Sequence, residues 1–256
     1  MQTLEYKVDI PAALRAFWIL MQSPDEIGPG VEMVKHMNGK SMERFFQRFM
    51  ADPRGAAIVR ERRSLLAVLR DRQAMADLPA GSLGRAYFDW TEIENISADG
   101  LAGATEGDLP EGIDDERRLV IERHLQVHDL LHVAGGYGRD LVGELAVVSM
   151  TLIQVRQLGL FLPVLLGTLY FGVFRGRGRV LTDAWRRARQ SVWMPVQDWE
   201  ALLPRPLDEV RETLRLGPPH VYEPLRGALV ADSPDGLPVI GARASRLREL
   251  AAGGGQ

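Results

Sequence analysis

The stretch DERRLVIERHLQVHDLLHVAGGYGRDLVGELAVVSMTLIQVRQ, residues 115–157, decides how this chain is read. Its first half has helical periodicity and stops at Gly135-Gly136, a helix-ending signal. Asp140 stands where a cap belongs, ahead of the apolar run LVGELAVVSMTLIQVRQ. A short glycine-rich connection between two helices predicts antiparallel neighbours. His124, His128 and His132, three of the five histidines, are spaced by four and share one helix face. Two imidazoles one turn apart can converge on one metal ion. Glu144 follows His132 by twelve residues, and a returning second helix brings it to the same place. His128, His132 and Glu144 are therefore candidate metal ligands. Asp129 points about 100° away from His128 around the helix. Its options are a fourth ligand, an orienting partner of a ligand, or a base that activates water. His124 lies a turn too early and is expected beside the site or facing lipid. Zinc, iron, manganese and cobalt all accept such a set. The plain alternative is a solvated helix face that happens to carry histidines.

Outward from this pair the chain reads as mostly helical. Helices are expected over Pro11–Met21 and Val31–Met37, with a turn from Ser23-Pro24 to Gly30 between them. In Ser41–Met50, Met42, Phe45, Phe46 and Phe49 recur at spacings of three and four. Asp52-Pro53 opens a further helix through RGAAIVRERRSLLAVLRD. Loops are expected at 79–84 and over the Gly, Asp and Glu-rich residues 97–114. Strict apolar/polar alternation is nearly absent, so little sheet is expected. The fold class is all-α: a single helical domain over 1–251, with a central antiparallel helix pair carrying the metal site, a hydrophobic lipid-binding groove, and a disordered tail at 252–256.

Composition narrows the chemistry. The 256 residues suffice for a sizeable core, and 46% of them are hydrophobic. There is no cysteine, which excludes thiolate nucleophiles, disulfides and iron–sulfur clusters. The net charge of -3 argues against nucleic acid as a partner. Met1 to Ile10 carries Glu5, Lys7 and Asp9 and no apolar run, so a cytoplasmic setting is expected.

Residues 158–174 (LGLFLPVLLGTLYFGVF) hold no charge but are at the low edge of a bilayer span. Pro163, Gly159, Gly167 and Gly172 interrupt them. Three placements fit: a buried core helix, a helix lining a lipid tunnel or the membrane interface, or a span. Arg175, Arg177, Arg179, Arg186, Arg187 and Arg189 follow, suiting either an anionic membrane surface or a merely solvated helix face. The three glycines are expected to leave room for an isoprenoid tail.

HDLLH (128–132), then eleven residues, then Glu144 resembles the HDxxH-(x)11-E signature of the fourth Coq protein family of ubiquinone (coenzyme Q) biosynthesis. ERHLQVHDLLHVAGGYGRDLVGELAV (122–147) is similar to that family's central block. ADPRGAAIVRER (51–62) and WEALLPRPLDEVRETL (199–214) resemble its flanking blocks. The resemblance covers roughly residues 20–216 and neither the first 20 nor the last 40. It implies one divalent metal ion, usually zinc, at His128, Asp129, His132 and Glu144. It also implies a polyprenylated aromatic substrate and other ubiquinone-biosynthesis proteins as partners. The implied reaction is oxidative decarboxylation of a polyprenyl-hydroxybenzoate, in the carbon–carbon lyase class, with Asp129 and Glu144 as catalytic carboxylates. A bacterial member is expected to sit peripherally on the cytoplasmic face of the inner membrane, and a homodimer is compatible. The contending class is a non-catalytic lipid-binding scaffold that organises the pathway's enzymes. An HD-type phosphohydrolase fits His128-Asp129 but lacks the separate upstream His and later Asp which that class requires.

Overall fold

The computed structural model describes residues 7–22, 27–94, 96, 113–170, 178–218, 231–232 and 238–239. The expected loop at 97–114, save its last two residues, and the expected tail lie outside them.

The described residues open with α1 (Ile10–Gln22) and α2 (Ile27–Lys35), so a helix occupies part of the turn expected before Gly30. Next come α3 (Ser41–Ala51) and α4 (Pro53–Arg60). Asp52 caps α4 by accepting from the Arg54 N–H, and Pro53 takes the first position, where its missing donor is harmless. The single long helix expected after Pro53 is in fact three: α4, α5 (Leu65–Arg70) and α6 (Arg72–Ala76). Arg62 turns left-handed (φ 50°), and the Ser64 and Asp71 side chains then cap the next two starts. Ser and Asp compete with the helix for its own backbone donors, and here they win. A further helix, α7 (Leu83–Glu94), falls largely on residues that no motif marked.

The central pair is α8 (Asp115–Gly135) and α9 (Leu141–Val155). His132 meets Glu144 at one end of the pair and His124 meets Gln157 at the other, so the two helices run in opposite directions. Asp114 caps α8 and Asp140 caps α9. The apolar stretch from 158 becomes a 3-10 turn (Leu158–Leu160) and then α10 (Phe161–Gly167). It is followed by α11 (Gly178–Gln190), α12 (Trp199–Leu202) and α13 (Leu207–Leu214). Among the described residues the strands are limited to β1 (Ala231–Asp232) and β2 (Pro238–Val239), an antiparallel pair. The fold is all-α.

The largest core cluster gathers Leu69, Trp90, Leu130, Val133, Val142, Ala146, Met150, Ala184 and Trp199, so α8 and α9 are enclosed by α5, α7, α11 and α12. A second holds Phe45, Phe49, Ile58, Val120, Ile121 and Val155. Gln154 stitches α9 to α11: its amide donates to the Ala188 carbonyl (2.7 Å) and its Oε1 accepts from the Met194 N–H (3.0 Å). Two buried arginines tie distant elements. Arg117 grips Glu43 through two hydrogen bonds of 2.9 and 2.7 Å, and Arg123 grips Glu200 at 2.7 and 3.0 Å.

Two of the three glycine notches are filled by protein. A Cβ on Gly159 would lie 2.2 Å from the Val34 carbonyl oxygen, and one on Gly167 would lie 2.7 Å from Leu145. They let helices pack closely and leave no room for a lipid tail; Gly172 lies outside the described residues. Leu158, Phe161, Leu165 and Leu169, spaced by three and four, are exposed on the outer side. Ile10, Leu14 and Trp18 of α1 form a second exposed apolar stripe, Trp18 at 66%. Among the described residues no helix is long and apolar enough to cross a membrane.

Candidate metal centre

His128 and His132 sit one turn apart near the end of α8, and Glu144 occupies the first turn of α9. The capped helix start places positive backbone partial charge beside the Glu144 carboxylate. His132 Nε2 lies 2.8 Å from Glu144 Oε2, His128 Nε2 lies 3.5 Å from Glu144 Oε1, and the two Nε2 atoms are 3.4 Å apart. Ligand atoms from these three residues all lie within 4.8 Å of one another, and the group could hold a metal ion.

The protonation pattern favours a cation at the centre. His132 Nδ1–H donates to the Tyr137 carbonyl (3.1 Å), so in the neutral imidazole the Nε2 lone pair faces the carboxylate. Lone pairs converging at such distances need a proton or a metal ion between them. Burial opposes charge on His132, but the Glu144 carboxylate outweighs it and its pKa is raised. Burial likewise opposes charge on Glu144, but His132 and His128 hold its carboxyl well below the usual range. The outer edge of Glu144 stays accessible, its side chain 43% exposed, while Oε2 is buried. Of the three, His132 is the most enclosed and Glu144 the most exposed.

Asp129 is not a member of the converging group. It is buried beside it, and burial raises its pKa against the opposing pull of His128 and His132. His124 is buried near His128 and does not face the surface. Its Nε2 lies 3.2 Å from Gln157 Oε1, and its ring lies against Phe45, 5.3 Å between centroids. With His128, Thr151 and Met194 it lines a small pocket.

Three residues that frame the site were not singled out for it from the sequence. Trp90 of α7 stacks on the His132 ring, with centroids 5.4 Å apart and planes 20° apart. Tyr137 supplies the carbonyl that fixes His132, and its place inside the glycine break was the one available signal. Arg187, grouped by sequence with the exposed basic cluster, turns inward and is 0% exposed. A helical wheel could have separated it from Arg186 and Arg189, since α11 buries Val180, Leu181, Ala184, Arg187 and Ala188 on one side.

Residues 31–220 match the family described as "Coenzyme Q (ubiquinone) biosynthesis protein Coq4". The chain belongs to the Coq4 family. Its relatives in this family include the mitochondrial Coq4 homologue of Mus musculus, 29% identical over 176 residues, 66% of this chain and 62% of that protein. The homologue of Homo sapiens is 32% identical over 124 residues, 48% of this chain and 43% of that protein. The Coq4 protein of Schizosaccharomyces japonicus is 26% identical over 200 residues, 72% of this chain and 79% of that protein. The matched part thus spans about three fifths of the mouse relative's length. A crystal structure from Nostoc punctiforme, assigned to ubiquinone biosynthesis, covers 83% of this chain and all of its own with a TM-score of 0.59. At 16% identity that likeness speaks for the fold alone.

Proposed function

We propose that this Coq4-family protein acts in ubiquinone biosynthesis as a metal-dependent oxidative decarboxylase, replacing the C1 carboxyl of a polyprenylated hydroxybenzoate with a hydroxyl. The observation that carries the reading is the three-ligand group His128, His132 and Glu144, of which Glu144 is the most exposed. Structural zinc sites are closed by four protein ligands, whereas catalytic sites keep a position for water or substrate. The ion is zinc in this reading, with iron, cobalt and manganese accepted by the same donors.

When bound, a divalent ion supplies Lewis acidity towards the carboxylate and phenol oxygens of the ring. His128 and His132 present neutral lone pairs. The ring approaches beside Glu144, the most exposed of the three. Asp129, its carboxyl shifted upward by burial, takes up and returns a proton beside the ligands, or closes the coordination as a fourth ligand when the ion is present. The exchange of carboxyl for hydroxyl releases carbon dioxide and is a two-electron oxidation, so an acceptor such as dioxygen must take the electrons. Leu141, Val148 and Leu152 are half-buried and share the Glu144 face of α9 at helical spacing. They give an isoprenoid tail an apolar track leading from the metal.

Membrane association is peripheral in this reading. It rests on the exposed apolar side of residues 158–169, on Trp185, and on the exposed arginines Arg179, Arg186 and Arg189 of α11. Such a surface matches an anionic bilayer interface. It also puts a water-insoluble substrate and the other proteins of the pathway within reach.

The test is complementation of cells lacking the protein with a folded Glu144→Ala variant, reading ring intermediates by mass spectrometry. An enzyme leaves a prenylated precursor that retains its C1 carboxyl. Full recovery of ubiquinone would instead move the assignment to a non-catalytic scaffold.

A further inference from the structure

We propose that Arg187 is a positioning residue for the metal ligand His132, acting through the turn that ends α8. The proposal rests on the metal reading of His128, His132 and Glu144.

His132 and Tyr137 hold each other by two reciprocal hydrogen bonds. The Tyr137 N–H donates to the His132 backbone carbonyl (3.0 Å), and His132 Nδ1–H donates to the Tyr137 carbonyl (3.1 Å). The fold-back is possible because Gly136 is left-handed (φ 72°), a conformation glycine adopts without strain. The Tyr137 ring lies over Gly135 so closely that a Cβ there would be 2.9 Å from it. The same turn that terminates the helix therefore fixes which nitrogen of His132 carries the proton and which faces the metal. Ligand tautomer and ring orientation are commonly set in this way.

Within the turn the Gly136 N–H adds a further bond, to the Val133 carbonyl (3.2 Å). Arg187, from α11, pins it from outside. Its Nη1 donates to the Gly135 carbonyl (2.7 Å) and its Nε to the Leu216 carbonyl (2.9 Å). Its guanidinium carbon stands 5.4 Å from the centroid of the Tyr137 ring. The Tyr137 hydroxyl is tethered in turn to Asp183 of the same helix (3.3 Å). A fully buried guanidinium that donates to the Gly135, Leu216 and Gly217 carbonyls and faces a ring uses its planar fork; a lysine ammonium cannot reproduce that set. Trp90 stacks on the imidazole, so rotation of His132 is confined from that side as well.

The test compares cobalt(II) affinity and the visible d–d spectrum of wild type and Arg187→Lys, each measured on folded protein as judged by circular dichroism. The expected result is an affinity loss of about tenfold to a hundredfold with an altered spectrum. A folded Arg187→Lys with wild-type affinity and spectrum would overturn the proposal and leave Arg187 a purely structural cap. A wild type that takes up no cobalt would refute the metal reading itself, a distinct failure. Should Arg187→Lys not fold, Arg187→Gln carries the comparison, because its amide can still donate to one carbonyl of the turn but cannot span the Gly135 and Leu216 carbonyls. Its affinity is expected to fall severalfold, and an unchanged value overturns the proposal. Independently, ¹⁵N NMR of cadmium-loaded wild type should find the metal on His132 Nε2 and the proton on Nδ1; the reverse would also overturn it.

Discussion

His124 makes the protein acid-sensitive by an amount the structure sets. The imidazole is fully enclosed by α3, α8 and the end of α9, between Phe45 and Gln157. Burial disfavours its charged form and lowers its pKa from the ordinary 6.5 to about 4, despite the hydrogen bond to Gln157. The unfolded chain begins to bind this proton near pH 6.5, and the folded chain refuses it until about pH 4. Stability therefore falls as the pH drops through that window and levels off below it. At about 1.4 kcal/mol per pH unit the loss amounts to about 3 kcal/mol, a large share of the stability of an ordinary domain. A His124→Gln variant has no group to titrate there. It loses packing at every pH, which shifts its curve by a constant. Urea unfolding of both proteins from pH 7 to pH 4, with chelator present so that metal release adds no slope, isolates the effect. The His132–Glu144 pair is common to both and cancels. The gap between the two curves should change by about 3 kcal/mol over the window. Parallel curves would refute the account, and would mean that water or a rearranged Gln157 solvates the charged ring.

Three further outcomes are expected. Arg117→Met leaves the buried Glu43 carboxylate without its bidentate partner and should cost about 3–5 kcal/mol in denaturant unfolding, most of it recovered when Glu43→Leu is added; a loss under about 1 kcal/mol would argue that water reaches the pair. Gly159→Ala drives a methyl against the Val34 carbonyl and should lower stability by about 1–3 kcal/mol, read as a fall in Tm, and an unchanged Tm would contradict the close packing there. Zinc content by elemental analysis should collapse in both His128→Ala and Glu144→Ala. In wild type, zinc affinity should weaken from pH 7 to pH 5, because both imidazoles must be neutral to bind; pH-independent affinity would exclude them as ligands.

The sequence by itself determined the helical class, the break at Gly135-Gly136, the cap at Asp140 and the metal candidates, because each rests on local spacing. A helix repeats every 3.6 residues, so His128 and His132 share a face in any fold that keeps the helix, and a short connection returns Glu144. Ser64 and Asp71 each cap a helix start, which the reading of one continuous helix through RGAAIVRERRSLLAVLRD missed. What only the tertiary structure decided depends on which side of an element meets another. Gly159 and Gly167 are alike in sequence whether a notch is open or filled, and the filling atoms come from Val34, far along the chain, and from Leu145. Arg187 falls on the apolar side of the α11 wheel, but what that side meets, the Gly135 and Leu216 carbonyls, is settled only once the helix is packed. Trp90 reaches His132 across a separation of 42 residues, and no periodicity in either helix encodes that meeting. Burial is a property of the assembled layers, so the groups whose chemistry burial sets — His124, Asp129 and Arg187 — could be named from the sequence but not assigned.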